Sequence, residues 1–438
     1  MFNWLKKPAF LIFILAVFLR FFYVYFFLGI NTPPNEHDFW QEKIAFNLSK
    51  GGGFGLVPFK PTARKLPLFP LFLSGIYYLF GHNLPMARLF QILLGAFSAS
   101  GIYLISRMLY DEKKAILSGL FLACDPLYIY LSGWFLTENL FIPLIIFFLY
   151  FIIKYQVKEQ NQKLLVIAGI LLGLAAITRA SLTLFPFFIF LWSYFFDMQN
   201  LEFSINPKIL KNTLIISGIM YLFVSFWALR NYVVLGETII TETGGGRMFW
   251  GANNSEATGD VILMTGSPRL YEASERPRGE SGKNWREWEG SPWLNVFLST
   301  SDELSEKLVD KKYYDKGWEW IKTHPGDFFL LIPRKLYYLF KFWSPHASFP
   351  DLARGLFIFA EIYYYIILFI ACAGLFLSFS QWKKYLIFYL LLGNFMLSTM
   401  LFFGDARQRM PILPVIVLLS GLGAGKIFIL NKLPQGSP

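Results

Sequence analysis

Leu66-Pro67-Leu68-Phe69-Pro70-Leu71-Phe72-Leu73-Ser74-Gly75-Ile76-Tyr77-Tyr78-Leu79-Phe80 is the stretch on which the orientation of everything after it turns. It is apolar, but at about 15 residues it falls short of the roughly 20 that carry a helix across a ~30 Å hydrocarbon core. Pro67 and Pro70 open it, and the segment reads as a helix lying in the membrane interface. A full crossing here would invert every later loop. With an interfacial helix, the next span is 84 to 106, and Arg107, Lys113 and Lys114 fall on the cytoplasmic side, as the positive-inside rule prefers. Lys154, Lys158 and Lys163, then Lys208 and Lys211, Lys383 and Lys384, and Lys426 and Lys432 follow the same parity.

Upstream, Lys6 and Lys7 precede an apolar run to Gly29 that has no small-residue cleavage site, so it reads as an uncleaved first span with a cytoplasmic N-terminus. The expected spans are 8 to 29, 84 to 106, 115 to 133, 138 to 155, 163 to 178, 181 to 196, 209 to 229, 355 to 378, 384 to 403 and 410 to 430. The fold class is therefore an all-α polytopic membrane protein of about ten transmembrane helices, with interfacial helices in the first outer loop and a small external subdomain.

Composition agrees. The hydrophobic fraction is 55% and the charged fraction 16%, against roughly 25% charged in soluble domains. The net charge of +11 sits in short clusters between apolar runs rather than on one basic face, which argues for topology signals and against nucleic acid. Cys124 and Cys372 each lie in an apolar run, so neither a disulfide framework nor a cysteine metal site is expected.

Two outward segments have real size: the first loop, 30 to 83, and a polar stretch from Arg230 to Arg354 with Gly244 to Gly246 and Trp285, Trp288 and Trp293. This divides the chain into a membrane module, 1 to 229, an external subdomain, 230 to 354, and C-terminal helices, 355 to 438. Pro325 to Trp343, apolar with Arg334, Lys335 and Lys341 interspersed, suits a further interfacial helix.

Against the positive-inside trend, Arg20, Arg179, Arg230, Arg407 and Arg409 are all placed toward the outer face. Charges at such depth cost about 2.5 to 3.5 kcal/mol at mid-membrane on insertion scales. A shared anionic ligand would account for them together, because guanidinium pairs bidentately with phosphate oxygens; separate pairing of each with a carboxylate or lipid headgroup is the alternative. Two carboxylates face the same side: Asp38, in Asn35-Glu36-His37-Asp38, and Glu138, in the turn Leu136-Thr137-Glu138-Asn139. Asp38 also suits a helix-capping role behind Asn35, and Asp125, followed by Pro126, a structural one. No His/Cys cluster has zinc spacing, and Gly51 to Gly55 lacks the Lys-Ser/Thr ending of a phosphate-binding loop, so it reads as a flexible turn.

These residues, in this order, resemble the GT-C superfamily of glycosyltransferases, in the branch of protein O-mannosyltransferases and lipid-A aminoarabinose transferases. The likeness runs through Asp38 with Ala45, Leu48 and the Gly51 to Gly55 run, Arg64-Lys65-Leu66-Pro67-Leu68-Phe69-Pro70-Leu71, Phe80-Gly81 and Leu136-Thr137-Glu138-Asn139-Leu140-Phe141. It continues through Gly173-Leu174-Ala175, Thr178-Arg179, Trp227, Arg230-Asn231-Tyr232 and Arg409-Met410-Pro411-Ile412-Leu413-Pro414. The resemblance implies an inverting transferase that moves a sugar from a polyprenyl-phosphate donor to an acceptor hydroxyl on the non-cytoplasmic face. Asp38 matches the catalytic base and Lys65 a lipid-phosphate ligand, with Arg20, Arg179, Arg230, Arg407 and Arg409 expected beside it. Glu138 matches a second acid that in some relatives helps hold a divalent cation, so Asp38 and Glu138 are the metal candidates; other relatives need none, and the cofactor stays open.

There are departures. Phe39 follows Asp38 where many relatives have Glu, which makes Glu36 a second candidate for the base, and the second acid is Glu138 rather than Asp. The expected setting is a bacterial or archaeal plasma membrane with the site facing outside. The expected partners are a lipid-linked donor, a glycolipid, polysaccharide or protein acceptor and the bilayer, and no nucleic acid. A polyprenyl-linked lipid carrier or an inactive assembly subunit are the competing readings.

Overall fold

Asn83 accepts a hydrogen bond from the Met86 amide at 3.0 Å and starts the helix Leu84–Leu109, the second long apolar element of the chain. The same device recurs at Asp111, Asp125, Asn161 and Ser305, each capping the helix that follows it. In the computed structural model, residues 7–34, 39–197, 207–260, 305–342 and 354–429 are described. Their elements in order are α1 (Lys7–Phe22, continued as a π-helical turn, Tyr23–Leu28), α2 (Phe39–Ser49), α3 (Leu68–Phe80), α4 (Leu84–Leu109), α5 (Glu112–Ala123), α6 (Pro126–Leu131), α7 (Glu138–Val157), α8 (Gln162–Ala176), α9 (Phe185–Asp197) and α10 (Pro207–Leu235). After these come α11 (Gly245–Ala252), α12 (Glu306–Thr323), α13 (Pro325–Phe340), α14 (Arg354–Ser378), α15 (Trp382–Leu401), the single turn α16 (Ala406–Arg409) and α17 (Leu413–Ile429). Among the described residues the only extended pairing is an isolated bridge between Val57 and Lys60.

The chain is an all-α polytopic membrane protein. Among the described residues, six stretches are long and apolar enough to cross a bilayer: Pro8–Leu28, Leu84–Leu109, Glu138–Val157, Pro207–Leu235, Gly355–Leu401, which holds α15 and nearly all of α14, and Ala406–Lys426. One expected span is broken, and two are apolar helices shorter than 18 residues. The segment expected at 115 to 133 breaks at Cys124, because Asp125 accepts from the Tyr128 amide at 2.7 Å and Pro126 has no amide hydrogen to continue the previous helix. The segments expected at 163 to 178 and 181 to 196 are helices of 15 and 13 residues. At 1.5 Å rise per residue such helices reach about 20 Å, short of the core by themselves. The seventh expected span runs six residues further than expected, to Leu235. Trp285, Trp288 and Trp293 lie outside the described residues.

Helices pack through small residues, as in other membrane bundles. A Cβ on Gly374 of α14 would lie 1.9 Å from the Leu419 carbonyl of α17, and one on Gly423 would lie 2.2 Å from that of Ile370, so the two backbones touch.

Side-chain bonds define the two ends of the bundle. At one end, Arg88 of α4 is bonded to the Ile30 and Gly133 carbonyls, and Glu138 of α7 meets the turn after α8 and the turn before α17. At the other, Lys384 donates to the Leu109 carbonyl at 2.9 Å, Lys208 to Gln160, and Lys114 packs against α17 at Gly425. The turns rich in lysine therefore sit opposite the end that collects Glu138 and the first loop. In that loop, Gly51 and Gly53 adopt φ of 79° and 81°, the turn conformation expected of the glycine run.

Candidate functional site

Glu138 is the first residue of α7 and is fully buried. Two guanidinium groups hold it. Arg179, in the turn after α8, donates from Nη1 to Oε1 at 2.9 Å, and Arg407, in α16, donates from Nε to Oε1 at 3.1 Å and from Nη2 to Oε2 at 3.3 Å. Nη2 of Arg179 also donates to Gln408 Oε1 at 2.9 Å. α16 presents Arg407 and Gln408 together because the Asp405 carboxylate accepts from the Gln408 amide at 2.6 Å and caps the turn. Leaving either side of such a buried pair uncompensated costs about 3–5 kcal/mol.

The cluster is open toward solvent through its cations: the Arg179 side chain is 14% exposed and that of Arg407 37%. Lys65, on the chain entering α3, is half-buried beside it. Burial lowers the Lys65 pKa, the Glu242 carboxylate opposes that, and Arg407 and Arg64 add to it. Burial likewise raises the carboxyl groups of Asp405 and Glu242 above their usual range, against the pull of Arg407 and Arg179 on the first and of Lys65 and Arg179 on the second.

The arginines that oppose the positive-inside trend do not form one group. Arg20 is enclosed, with Nη1 donating to the Ala16 and Ala123 carbonyls at 3.2 and 3.1 Å and its guanidinium over the Tyr128 ring. Arg409 donates to the carbonyls of Leu339, Lys341 and Phe342 and lies 4.0 Å from the Tyr364 ring centroid. Arg230 donates to the Thr62 carbonyl at 2.9 Å and the Phe54 carbonyl at 3.3 Å, over the Trp227 ring. These three tie backbone segments together, and only Arg179 and Arg407 meet a carboxylate of the cluster. Asp38 and Glu36 lie outside the described residues.

Several residues that sequence reasoning passed over shape the site. Arg88, fully buried, ties Ile30, Thr32 and Gly133 together; as an arginine in the first turns of a span it carried the same signal as the other five. Glu42 of α2 is fully buried and meets His82, whose ring lies edge-on to Phe46 and Tyr77, fixing α2 against the end of α3. Glu306 of α12 accepts from Thr62 Oγ1, from the Ala63 amide at 3.0 Å and from Thr243 Oγ1 at 3.0 Å, while Asp310 accepts from the amides of Gly244 and Gly246 at 2.8 Å each. Carboxylates in a polar loop gave no sequence signal for these contacts.

The donor set at Glu138 does not fit a metal ion, since both carboxylate oxygens already accept from guanidinium groups, whose charge would oppose a second cation. Among the described residues no group of three or more His, Cys, Asp or Glu side chains is arranged to hold one. Asp38, the other metal candidate, lies outside the described residues.

The family model described as dolichyl-phosphate-mannose-protein mannosyltransferase matches residues 60–227, the part that carries Lys65, Glu138 and Arg179. An undecaprenyl phosphate-alpha-4-amino-4-deoxy-L-arabinose arabinosyl transferase of Wigglesworthia glossinidia brevipalpis is 26% identical over 207 residues, 44% of this chain and 35% of that protein. The chain resembles the GT-C polyprenyl-phosphate-sugar glycosyltransferases. In fold, this GT-C-like chain is similar to the oligosaccharyltransferase of Archaeoglobus fulgidus in its apo form, with a TM-score of 0.56 at 14% identity over 98% of this chain and 51% of that one. It is similar also to the archaeal oligosaccharyltransferase from the same organism solved with an inhibitory peptide and a dolichol-phosphate, with a TM-score of 0.52 at 14% identity over 100% of this chain and 53% of that one. The GT-C-like chain spans about a third of the matched arabinosyl transferase and about half of these structures.

Proposed function

We propose that this protein is an inverting glycosyltransferase that takes a sugar from a polyprenyl-phosphate donor and passes it to an acceptor hydroxyl. The observation that carries this reading is the meeting of Arg179, Arg407 and Gln408 around buried Glu138, with Lys65 beside them. Glu138 orients the two guanidinium groups, and their exposed edges with Lys65 receive the phosphodiester of the donor. Asp38, directly before α2 in sequence, acts as general base: it takes the proton of the acceptor O–H as that oxygen bonds to the anomeric carbon. The bond from that carbon to the phosphate oxygen breaks, and the electron pair leaves with the lipid phosphate, whose new charge the three cations stabilise. Glu36, two residues before Asp38, is the alternative base.

The lysine-rich turns at the opposite end of the bundle support a site on the non-cytoplasmic face. The reading divides the chain as the loop lengths do, into a catalytic membrane module over 1–229, an external part over 230–354 and C-terminal helices over 355–438. The undecaprenyl phosphate-aminoarabinose donor named for the matched relative, and the dolichyl-phosphate-mannose donor and protein acceptor named for the family, set the range to try first.

The test is purified protein with synthetic short-chain polyprenyl-phosphate sugars offered singly, following lipid phosphate release by mass spectrometry. Release by the wild type that is lost in Asp38→Asn and retained in Glu36→Gln is the expected result. Binding without release, even with crude membrane acceptors added, would favour a lipid carrier or an assembly subunit.

A further inference from the structure

Thr62 and Leu68 bracket Lys65 in sequence, and each end of this stretch is tied to a different part of the molecule. At the Thr62 end the partner is Glu306, the first residue of α12. Its Oε1 accepts from Thr62 Oγ1 and lies 3.5 Å from Arg64 Nε, and its Oε2 accepts from the Ala63 amide and from Thr243 Oγ1, both at 3.0 Å. Thr62 is engaged on every side. Its amide donates to the Phe54 carbonyl at 3.0 Å, its carbonyl accepts from Arg230 at 2.9 Å, and its hydroxyl accepts from the Arg64 amide at 3.1 Å. The Thr243 amide donates to the Ala63 carbonyl at 2.9 Å, so Glu306 joins two loop segments that already touch. At the other end, the Leu68 amide donates to the Ile177 carbonyl at 3.2 Å, two residues before Arg179, whose guanidinium meets Glu138. The backbone that carries Lys65 is thus held between α12 and the turn that carries Arg179.

We propose that Glu306 is a positioning residue for the donor site: by holding Thr62, Ala63 and Arg64 it fixes the Lys65 backbone at the Arg179 turn, so that α12 takes part in binding the donor's phosphate. This rests on the proposed function. The chemistry of the carboxylate suits the task. Two oxygens with about four lone-pair sites let one side chain accept from three donors and pair with a guanidinium, and such charge-assisted bonds are stronger than neutral ones. The partial positive charge of the first turn of α12 favours a carboxylate at that position. A loop already ordered before the ligand arrives also spares binding the entropy of ordering it.

Glu306→Gln keeps the size of the side chain but leaves one acceptor oxygen in place of two, so the Thr62 hydroxyl and the Ala63 amide can no longer both be satisfied as they are.

The probe is a synthetic short-chain polyprenyl phosphate, with its affinity for the purified full chain measured in detergent per folded molecule. Glu306→Gln should weaken binding about tenfold, the scale of one lost hydrogen bond to a charged group. Thr62→Val, which removes only the hydroxyl contacts, should weaken it about threefold and serves in the same comparison if Glu306→Gln folds poorly. In a Lys65→Ala background, itself weaker than wild type, neither change should cost more than about twofold, because both act through the place of that lysine. A loss of equal size in the two backgrounds would mark a general structural contribution and overturn the positioning role. Affinity unmoved by Glu306→Gln and Thr62→Val while Lys65→Ala weakens binding would overturn it too and leave the proposed function standing. Binding indifferent to both Lys65→Ala and Arg407→Ala would overturn the phosphate site itself, and the positioning role with it.

Discussion

Arg407 and Arg409 are two residues apart on one short turn, and they work in opposite surroundings. Arg407 is 37% exposed and meets a carboxylate; Arg409 is buried and satisfied by the carbonyls of Leu339, Lys341 and Phe342. Arg179 belongs with the first, Arg20 and Arg230 with the second. A guanidinium on a carboxylate, with one edge toward solvent, can exchange or add an anionic partner. One whose donors end on backbone carbonyls joins chain segments, and an anion reaching it would have to break several hydrogen bonds. The same residue type thus divides into a carboxylate-bound, partly exposed set and a chain-joining set according to acceptor and access.

The sharpest way to break that division is to compare Arg407→Ala with Arg409→Ala. Arg407→Ala should cut donor cleavage by about 100-fold or more, the scale for losing a charge-stabilising donor, with a smaller change in thermal midpoint. Arg409→Ala should show the reverse: a loss of about 2–4 kcal/mol in unfolding experiments, from orphaned carbonyls and a cavity, with turnover per folded molecule changed less than tenfold. Equal kinetic losses in the two variants would erase the distinction.

Next in size is Glu138→Gln. It leaves the Arg179 and Arg407 charges without their shared counter-ion and should cost about 3–5 kcal/mol of stability. Glu138→Gln combined with Arg179→Gln should recover part of the loss; additive losses, measured by urea titration in detergent, would show that the two do not act as a unit.

Arg230 belongs to the chain-joining set. Arg230→Lys keeps the charge but not the planar fork that spans the Thr62 and Phe54 carbonyls, so it should loosen the first loop by about 1–2 kcal/mol, read as faster amide exchange around residues 54 to 62. Unchanged exchange there would remove Arg230 from the set.

The smallest effect concerns Lys335, the lysine of the chain-joining set. Its Nζ donates to Asn253 Oδ1 at 2.8 Å and the Met400 carbonyl at 3.2 Å, and burial lowers its pKa to about 7. The folded state then binds this proton more weakly than the unfolded chain does. Stability should rise with pH from about 7 upward, by at most about 1.4 kcal/mol per unit, as the mismatch is relieved. The thermal midpoint of wild type should climb relative to Lys335→Met between pH 7 and pH 9; parallel curves would mean that the lysine stays charged when folded.

Some of this was readable in the chain and some was not. Long apolar runs and lysine-rich turns marked the membrane class and grouped the loops by end, because both signals are local and set by the solvent each residue meets. The break at Asp125-Pro126 needed the observation that the acid caps a new turn, although the dipeptide already hinted at it. Glu138, Arg179 and Arg407 stood out as charges in outer turns, but Arg20, Arg230 and Arg409 gave the same signal, and Arg88 was missed despite giving it. Glu242, Glu306 and Asp310 were invisible, since a carboxylate in a polar loop needs no explanation until its partner is seen.

Read from the chain alone, each segment has its solvent: lipid for the apolar helices and water for the turns. Which cation faces which acceptor comes only from how the helix ends are placed. Those pairings close across 41 residues for Arg179 and 269 for Arg407, at about 3 Å. Solvent preference is a property of the segment, whereas a hydrogen bond is fixed by the relative placement of two helix ends, which packing alone sets.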